Sequence, residues 1–254
     1  MGIIVFIFGL LLGSFYNVVG LRLPNGESIV FPGSHCPLCN HKLSWYENIP
    51  VFSYLFLDGK CKSCHKPISI MYPLIELFTG SLFLISYSIF GISENFFIGV
   101  ILSSLVAIIF VSDSKYMIIL DSPLVISSIL ILVVRFIYHD HDISVVGHYL
   151  LGGIVTFGIM YLLMLFGNFL FKKETMGGGD IKLSFVSGIA LGPVLGIFYI
   201  VLGAFLALPY ALYITIRKKE NMLPFGPFLA ISMLIIFFNM DKTLEFIKYI
   251  LYLK

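Results

Sequence analysis

Seven long apolar segments constrain this chain more than any other feature, at about residues 3–21, 71–91, 95–112, 118–138, 145–171, 193–216 and 223–240. A helix of about 20 mostly apolar residues spans a bilayer, and helices satisfy their own backbone polar groups where water is absent. An eighth segment, at about 180–191, follows Gly177-Gly178-Gly179. At about 1.5 Å per residue it is too short to span unaided, and it reads as a short or tilted helix. Composition agrees, with 59% hydrophobic residues, 12% charged residues and a mean hydropathy of +1.00. A soluble domain carries about 25% charged residues, so this chain has too little charge to cover its surface in water. The expected fold is all-α: a polytopic membrane protein of about eight transmembrane or membrane-embedded helices, with the lipid bilayer as its main solvent. A net charge of +2, with no basic run interleaved with aromatics, gives nucleic acid no footing. The first segment has neither the basic start nor the small-residue cleavage site of a secretory signal, and reads as a retained transmembrane helix.

The apolar pattern breaks once, abruptly. Residues 22–70 hold Pro24, Pro32, Pro37, Pro50 and Pro67, all four cysteines and many polar side chains. This organisation predicts a first transmembrane helix at 1–21, a water-facing four-cysteine insert at 22–70 and a membrane-embedded domain at 71–254. Lys and Arg in short loops set orientation. Arg22, Lys42, Lys60, Lys62, Lys66, Lys115, Lys172, Lys173, Lys182, Arg217, Lys218 and Lys219 fall on one side of the alternating turns. Arg135, Lys242, Lys248 and Lys254 fall on the other. The first set is expected in the cytoplasm, together with the insert, Asp113 and Asp180. The tail at 241–254 has spaced apolar residues and is expected along the outer interface.

The cysteines stand as Cys36-Pro37-Leu38-Cys39 and Cys61-Lys62-Ser63-Cys64. Two such pairs can close a tetrahedral zinc site through four thiolates, which leaves no open position for catalysis. Disulfides are the competing reading, and a reducing cytoplasm disfavours them. Structural zinc on Cys36, Cys39, Cys61 and Cys64 is therefore expected. It would stabilise an insert too short to build a large core. His35, His41 and His65 read as exposed loop histidines.

Asp113 and Asp180 are acidic residues at membrane-boundary positions with no obvious cation in register, and ionisable groups at such depth are costly and usually functional. Asp113 ends the third long apolar segment; Asp180 opens the short one, in Gly177-Gly178-Gly179-Asp180-Ile181-Lys182-Leu183. The plainer alternatives are a helix cap for Asp180 and a pair with Lys115 for Asp113. Asp121, before Ser122-Pro123, reads as a cap rather than a catalytic residue. The helix dipole favours negative charge at Asp180 and disfavours it at Asp113, which predicts Asp180 as the ionised member of a pair.

Several strings together resemble the type IV prepilin peptidases, a family of GxGD membrane aspartic proteases. They are Gly13-Ser14-Phe15-Tyr16-Asn17-Val18-Val19 with Arg22-Leu23-Pro24, the cysteine insert with Tyr46-Glu47-Asn48-Ile49-Pro50, Tyr72-Pro73-Leu74-Ile75-Glu76-Leu77, and Pro224-Phe225-Gly226-Pro227-Phe228. Asp113 lies eight positions before Asp121, and Asp180 closes the GxGD string, as in the family. Tyr16 and Leu120 depart from the usual pattern. The resemblance implies a bacterial cytoplasmic-membrane enzyme, its active site facing the cytoplasm, with Asp113 and Asp180 catalytic. Its implied substrates are prepilin-like or pseudopilin precursors, cut after a glycine for pili, secretion or DNA uptake. Retention of the insert further implies N-methylation of the new N-terminus with S-adenosylmethionine, with Glu47 and Glu76 as possible contacts beside ordinary loop and helix-start roles. Within the family, a peptidase without methyltransferase activity is the alternative. Two other classes compete: a proton- or ion-coupled transporter using Asp113 and Asp180, which lacks the inverted repeat expected of it, and a non-catalytic scaffold docking partners through the knuckles.

Overall fold

A computed structural model describes residues 1–217 and 225–252. Pro224, Lys218, Lys219 and Lys254 lie outside the described residues, as does the side chain of Arg217. The described chain is helical throughout its membrane part, in the order α1 (Gly2–Arg22), α2 (Phe52–Phe56), α3 (Met71–Phe90), α4 (Glu94–Tyr116), α5 (Asp121–Tyr138), α6 (Ile143–Phe171), α7 (Gly178–Leu191), α8 (Pro193–Arg217), α9 (Gly226–Phe238) and α10 (Met240–Tyr252). Six of these, α1, α3, α4, α5, α6 and α8, are long and apolar enough to cross a membrane among the described residues.

The expected span at 223–240 is different. Its described part is α9, only 13 residues long, and the chain then turns 93° into α10. At about 1.5 Å per residue α9 is roughly 20 Å long, short of the hydrocarbon thickness. The 93° turn gives α9 and α10 nearly perpendicular axes.

α4 is the hub. Ile98, Leu102, Val106 and Val111 are fully buried, and α4 packs against α1, α3, α5 and α9. The wall of α6 against α7 is built by small residues. A Cβ on Gly152 would lie 2.6 Å from the Gly188 carbonyl oxygen, so the backbones meet where only glycine fits. Thr156 Oγ1 donates to the Ser184 carbonyl at 2.8 Å across the same seam.

The two ends of the bundle are chemically distinct. At one end Arg135, 4% exposed, pairs with Glu94 at 2.7 Å, donates to the Ala190 carbonyl at 2.9 Å and lies over the Tyr149 ring at 3.7 Å. Arg135 is thus a buried clasp between α4, α5, α6 and α7 rather than a loop charge. At the other end Tyr116 donates to the Leu21 carbonyl at 3.2 Å, below the insert, and Lys182 pairs with Asp121 at 2.7 Å.

Candidate active site

α4 continues past the end of the expected segment at 112, because the chain stops only where Met117 turns left-handed at φ 54°. Asp113 therefore sits within the last helical turn, 6% exposed, with its backbone carbonyl accepting from Met117 N–H at 3.0 Å. Its Oδ2 is buried and has no hydrogen-bond partner among the described residues. The alternative pairing with Lys115 is not made: the Lys115 ammonium lies 5.3 Å from the centre of the Tyr116 ring.

Asp180 lies on α7, in its first turn rather than at its cap, since Gly177 is the cap residue. It is 8% exposed, and the Gly177 N–H reaches its carboxylate. The helices carrying the two aspartates are joined through α5 and α9, which each pack on both. The charge of Asp113 acts on Asp180, so the fold brings the two carboxyls within electrostatic reach. Burial and that neighbouring charge act on Asp180 alongside the helix dipole. Which member holds the proton is consequently a property of the pair and not of the dipole alone.

The space around Asp180 is set by residues the sequence reading left unassigned. A Cβ on Gly226 would lie 3.5 Å from Asp180 Oδ1 and 2.8 Å from Ile119 Cδ1. A Cβ on Gly179 would lie 2.8 Å from Ile119 Cβ. Gly226 in the Phe225-Gly226-Pro227-Phe228 string and Ile119 in the α4–α5 turn thus pack directly at the second aspartate. Tyr199 of α8, fully buried, is also within reach of the Asp180 charge. Asp121 proves to be the first residue of α5, with Leu120 at the cap. It holds Lys182 at 2.7 and 2.8 Å, so that cation pairs with Asp121 and makes no salt bridge with Asp180. The only signal for this pair in the sequence is opposite charge, and spacing gives no sign of it.

The insert folds around its cysteines. Each knuckle repeats one pattern: Cys36 N–H donates to the His41 carbonyl at 3.0 Å and Asn40 N–H to Cys36, while Cys61 N–H donates to Lys66 at 2.9 Å and His65 N–H to Cys61. Asn40 and His65 take the same left-handed conformation, at φ 57° and 56°. All four sulfurs lie within 4.8 Å of one another, with Cys36–Cys64 and Cys39–Cys61 both at 3.9 Å. A tetrahedron of zinc–sulfur bonds of about 2.3 Å needs sulfurs about 3.8 Å apart, so the geometry and the donor set suit a metal ion. Backbone N–H groups of Leu38 and then Cys39 favour the Cys36 thiolate and bring that thiol down to about 7. His41 is not a free loop histidine, since its Nε2 lies 3.3 Å from Glu47. Glu47 also accepts the Ser44 N–H at 2.8 Å, which holds its carboxyl below the usual range. The loop role therefore accounts for Glu47. A cleft of about 260 Å³ opens between α1 and the insert, walled by Ser14, Phe15, Val18, Arg22, Val30 and Asn48 among others.

Comparison with known proteins accords with this geometry. Residues 7–90 match the Bacterial Peptidase A24 N-terminal domain, and residues 100–212 match the Type IV leader peptidase family. A prepilin leader peptidase/N-methyltransferase of Bacillus subtilis (strain 168) is 36% identical over 248 residues, covering 96% of this chain and 96% of that protein. Proteins of the same name from Vibrio cholerae and Neisseria gonorrhoeae are 34% and 33% identical, covering 92% and 93% of this chain and 94% and 90% of their own lengths. No solved structure matches. With such identity along nearly its whole length, the chain belongs to the type IV leader peptidase family.

Proposed function

We propose that this protein removes the leader peptide from prepilin-like precursors at the cytoplasmic membrane face, using Asp113 and Asp180 as a catalytic pair, and then N-methylates the exposed N-terminus. What supports the cleavage reading is that two buried aspartates on separate helices lie within electrostatic reach of each other, with no cation in salt-bridge contact with either among the described residues. Two close carboxyls share a proton over a useful pH range. The ionised member takes a proton from water, and that water attacks the peptide carbonyl. The protonated member donates to the carbonyl oxygen and later to the leaving amine. No side-chain nucleophile is required.

Residues 71–254 form the peptidase unit in this reading, and 22–70 the insert, with zinc held by Cys36, Cys39, Cys61 and Cys64 in a structural role. S-adenosylmethionine supplies a methyl group on a sulfonium. The mixed wall of the α1–insert cleft, with Arg22, Ser14 and apolar side chains, suits such a donor. The Lys and Arg bias supports a cytoplasmic position for the dyad and the insert in a bacterial cell, where a basic leader remains while its apolar helix lies in lipid.

Co-expression with a prepilin-like precursor tests the reading. Wild type is expected to shorten the precursor, and Asp113→Asn and Asp180→Asn at matched membrane levels to leave it intact. Undiminished cleavage by either variant overturns the two-aspartate mechanism.

A further inference from the structure

Beside the insert, a buried carboxyl has no cationic partner and a buried amide oxygen has no donor among the described residues. Glu76, in the second turn of α3, is 7% exposed. Its Oε2 accepts the Val51 N–H at 2.7 Å, and the Ser14 hydroxyl reaches the same carboxyl. No Lys, Arg or His stands within salt-bridge distance of Glu76 among the described residues. An ionised carboxylate offers about four acceptor sites, and buried charges are normally paired. Asn17 is 1% exposed; its Nδ2 donates to the Gly13 and Tyr72 carbonyls, both at 3.2 Å. Its Oδ1 is buried and receives no hydrogen bond among the described residues.

These groups are neighbours. The Asn17 amide rests on the Gly13 carbonyl, and Gly13 abuts α3 so closely that a Cβ there would lie 2.8 Å from Glu76 Cα. Ser14 links them to the outside, because it is both a partner of Glu76 and part of the cleft wall. Neither the aspartate pair nor the cysteine cluster uses them. α4 separates the two places: Val111 packs on Gly20 of α1, where a Cβ would come within 2.7 Å. Asp113, two residues on, points about 200° away around the helix. Asp113 therefore lies on the flank of α4 opposite α1, the helix that carries Ser14 and Asn17.

We infer that Glu76, with Ser14 and Asn17, receives a primary amine: the free N-terminus that leader cleavage exposes, held for methylation. The inference rests on the methyltransferase part of the proposed function. An amine brings N–H donors and a positive charge to a place that holds a carboxyl without a cationic partner and an amide oxygen without a donor among the described residues. The amine nitrogen gains its methyl group from a sulfonium donor, whose sulfur keeps the C–S electron pair, and the N–H proton passes to Glu76.

Glu76→Gln separates this role from a structural one. Glutamine keeps a carbonyl for the Val51 N–H, so the insert stays anchored, while the negative charge is lost. Cleavage is expected to remain within about two-fold of wild type and methylation of the product, read by mass, to fall at least about ten-fold. A second readout needs no turnover: labelling of wild-type Glu76 by a hydrophobic carbodiimide, located by mass. A short apolar peptide with a free N-terminus is expected to protect Glu76, and its N-acetylated counterpart is not. Wild-type methylation by Glu76→Gln, or equal labelling with both peptides, overturns the inference. Should Glu76→Gln lose cleavage as well, the labelling of wild type decides alone. If wild type cleaves but never methylates, the methyltransferase reading fails. Selective protection by the free-amine peptide would then still support an amine site.

Discussion

Alanine substitution in the glycine triplet before Asp180 separates positions that look equivalent in sequence. At Gly179 an added Cβ would stand 2.8 Å from Ile119 Cβ, where carbon atoms settle at about 3.5–4.0 Å, so roughly 1 Å must be recovered. Ile119 Cβ is a branch point fixed to the main chain, so the start of α7 or the α4–α5 turn has to move. Overpacking of this kind costs about 1–3 kcal/mol. The next residue is Asp180, and a misplacement of about 1 Å at a reacting group lowers rate about 100-fold, or about 2.7 kcal/mol in barrier. At Gly178 no atom lies within 4 Å of an added Cβ, and alanine favours the helix that begins there. Gly179→Ala is therefore expected to cut leader removal about 100-fold, while Gly178→Ala stays within about two-fold. The assay is the rate of precursor shortening at matched membrane levels. Gly179→Ala within about three-fold of wild type would refute the packing argument. Equal loss in both variants would point to backbone freedom in the triplet instead of space.

Elemental analysis of the purified protein should find one zinc per chain, and Cys36→Ser or Cys61→Ser should lose it, because each removes one of four thiolates. Retention of zinc by both variants would refute the four-thiolate site. Glu94→Leu leaves Arg135 buried without its anion and is expected to cost about 3 kcal/mol, seen as a lower unfolding temperature in detergent. The double variant Glu94→Leu/Arg135→Met should recover much of that loss, since an apolar pair replaces the ion pair; no recovery would show that the cost lies elsewhere.

Much of the architecture was legible without coordinates. Long apolar runs leave helices as the only solution in lipid, and the run lengths located α1, α3, α4, α5, α6 and α8 within a few residues. The paired Cys-x-x-Cys spacing specified the knuckles, because chelation by two thiolates is a local requirement of chain geometry. Asp113 and Asp180 stood out since a carboxyl at membrane depth is expensive wherever the chain goes next. The 13-residue α9 and its 93° turn were hidden inside a hydrophobic run, because apolar content records burial or lipid contact and says nothing of direction. What only the tertiary structure decided are the relations between distant segments. It joined Lys182 to Asp121 and Arg135 to Glu94, placed Ile119 and Gly226 at Asp180, and left Glu76 without a cationic partner and Asn17 Oδ1 without a donor among the described residues. Periodicity and hydropathy report each helix's own solvent, whereas these relations arise from how the helices pack on one another.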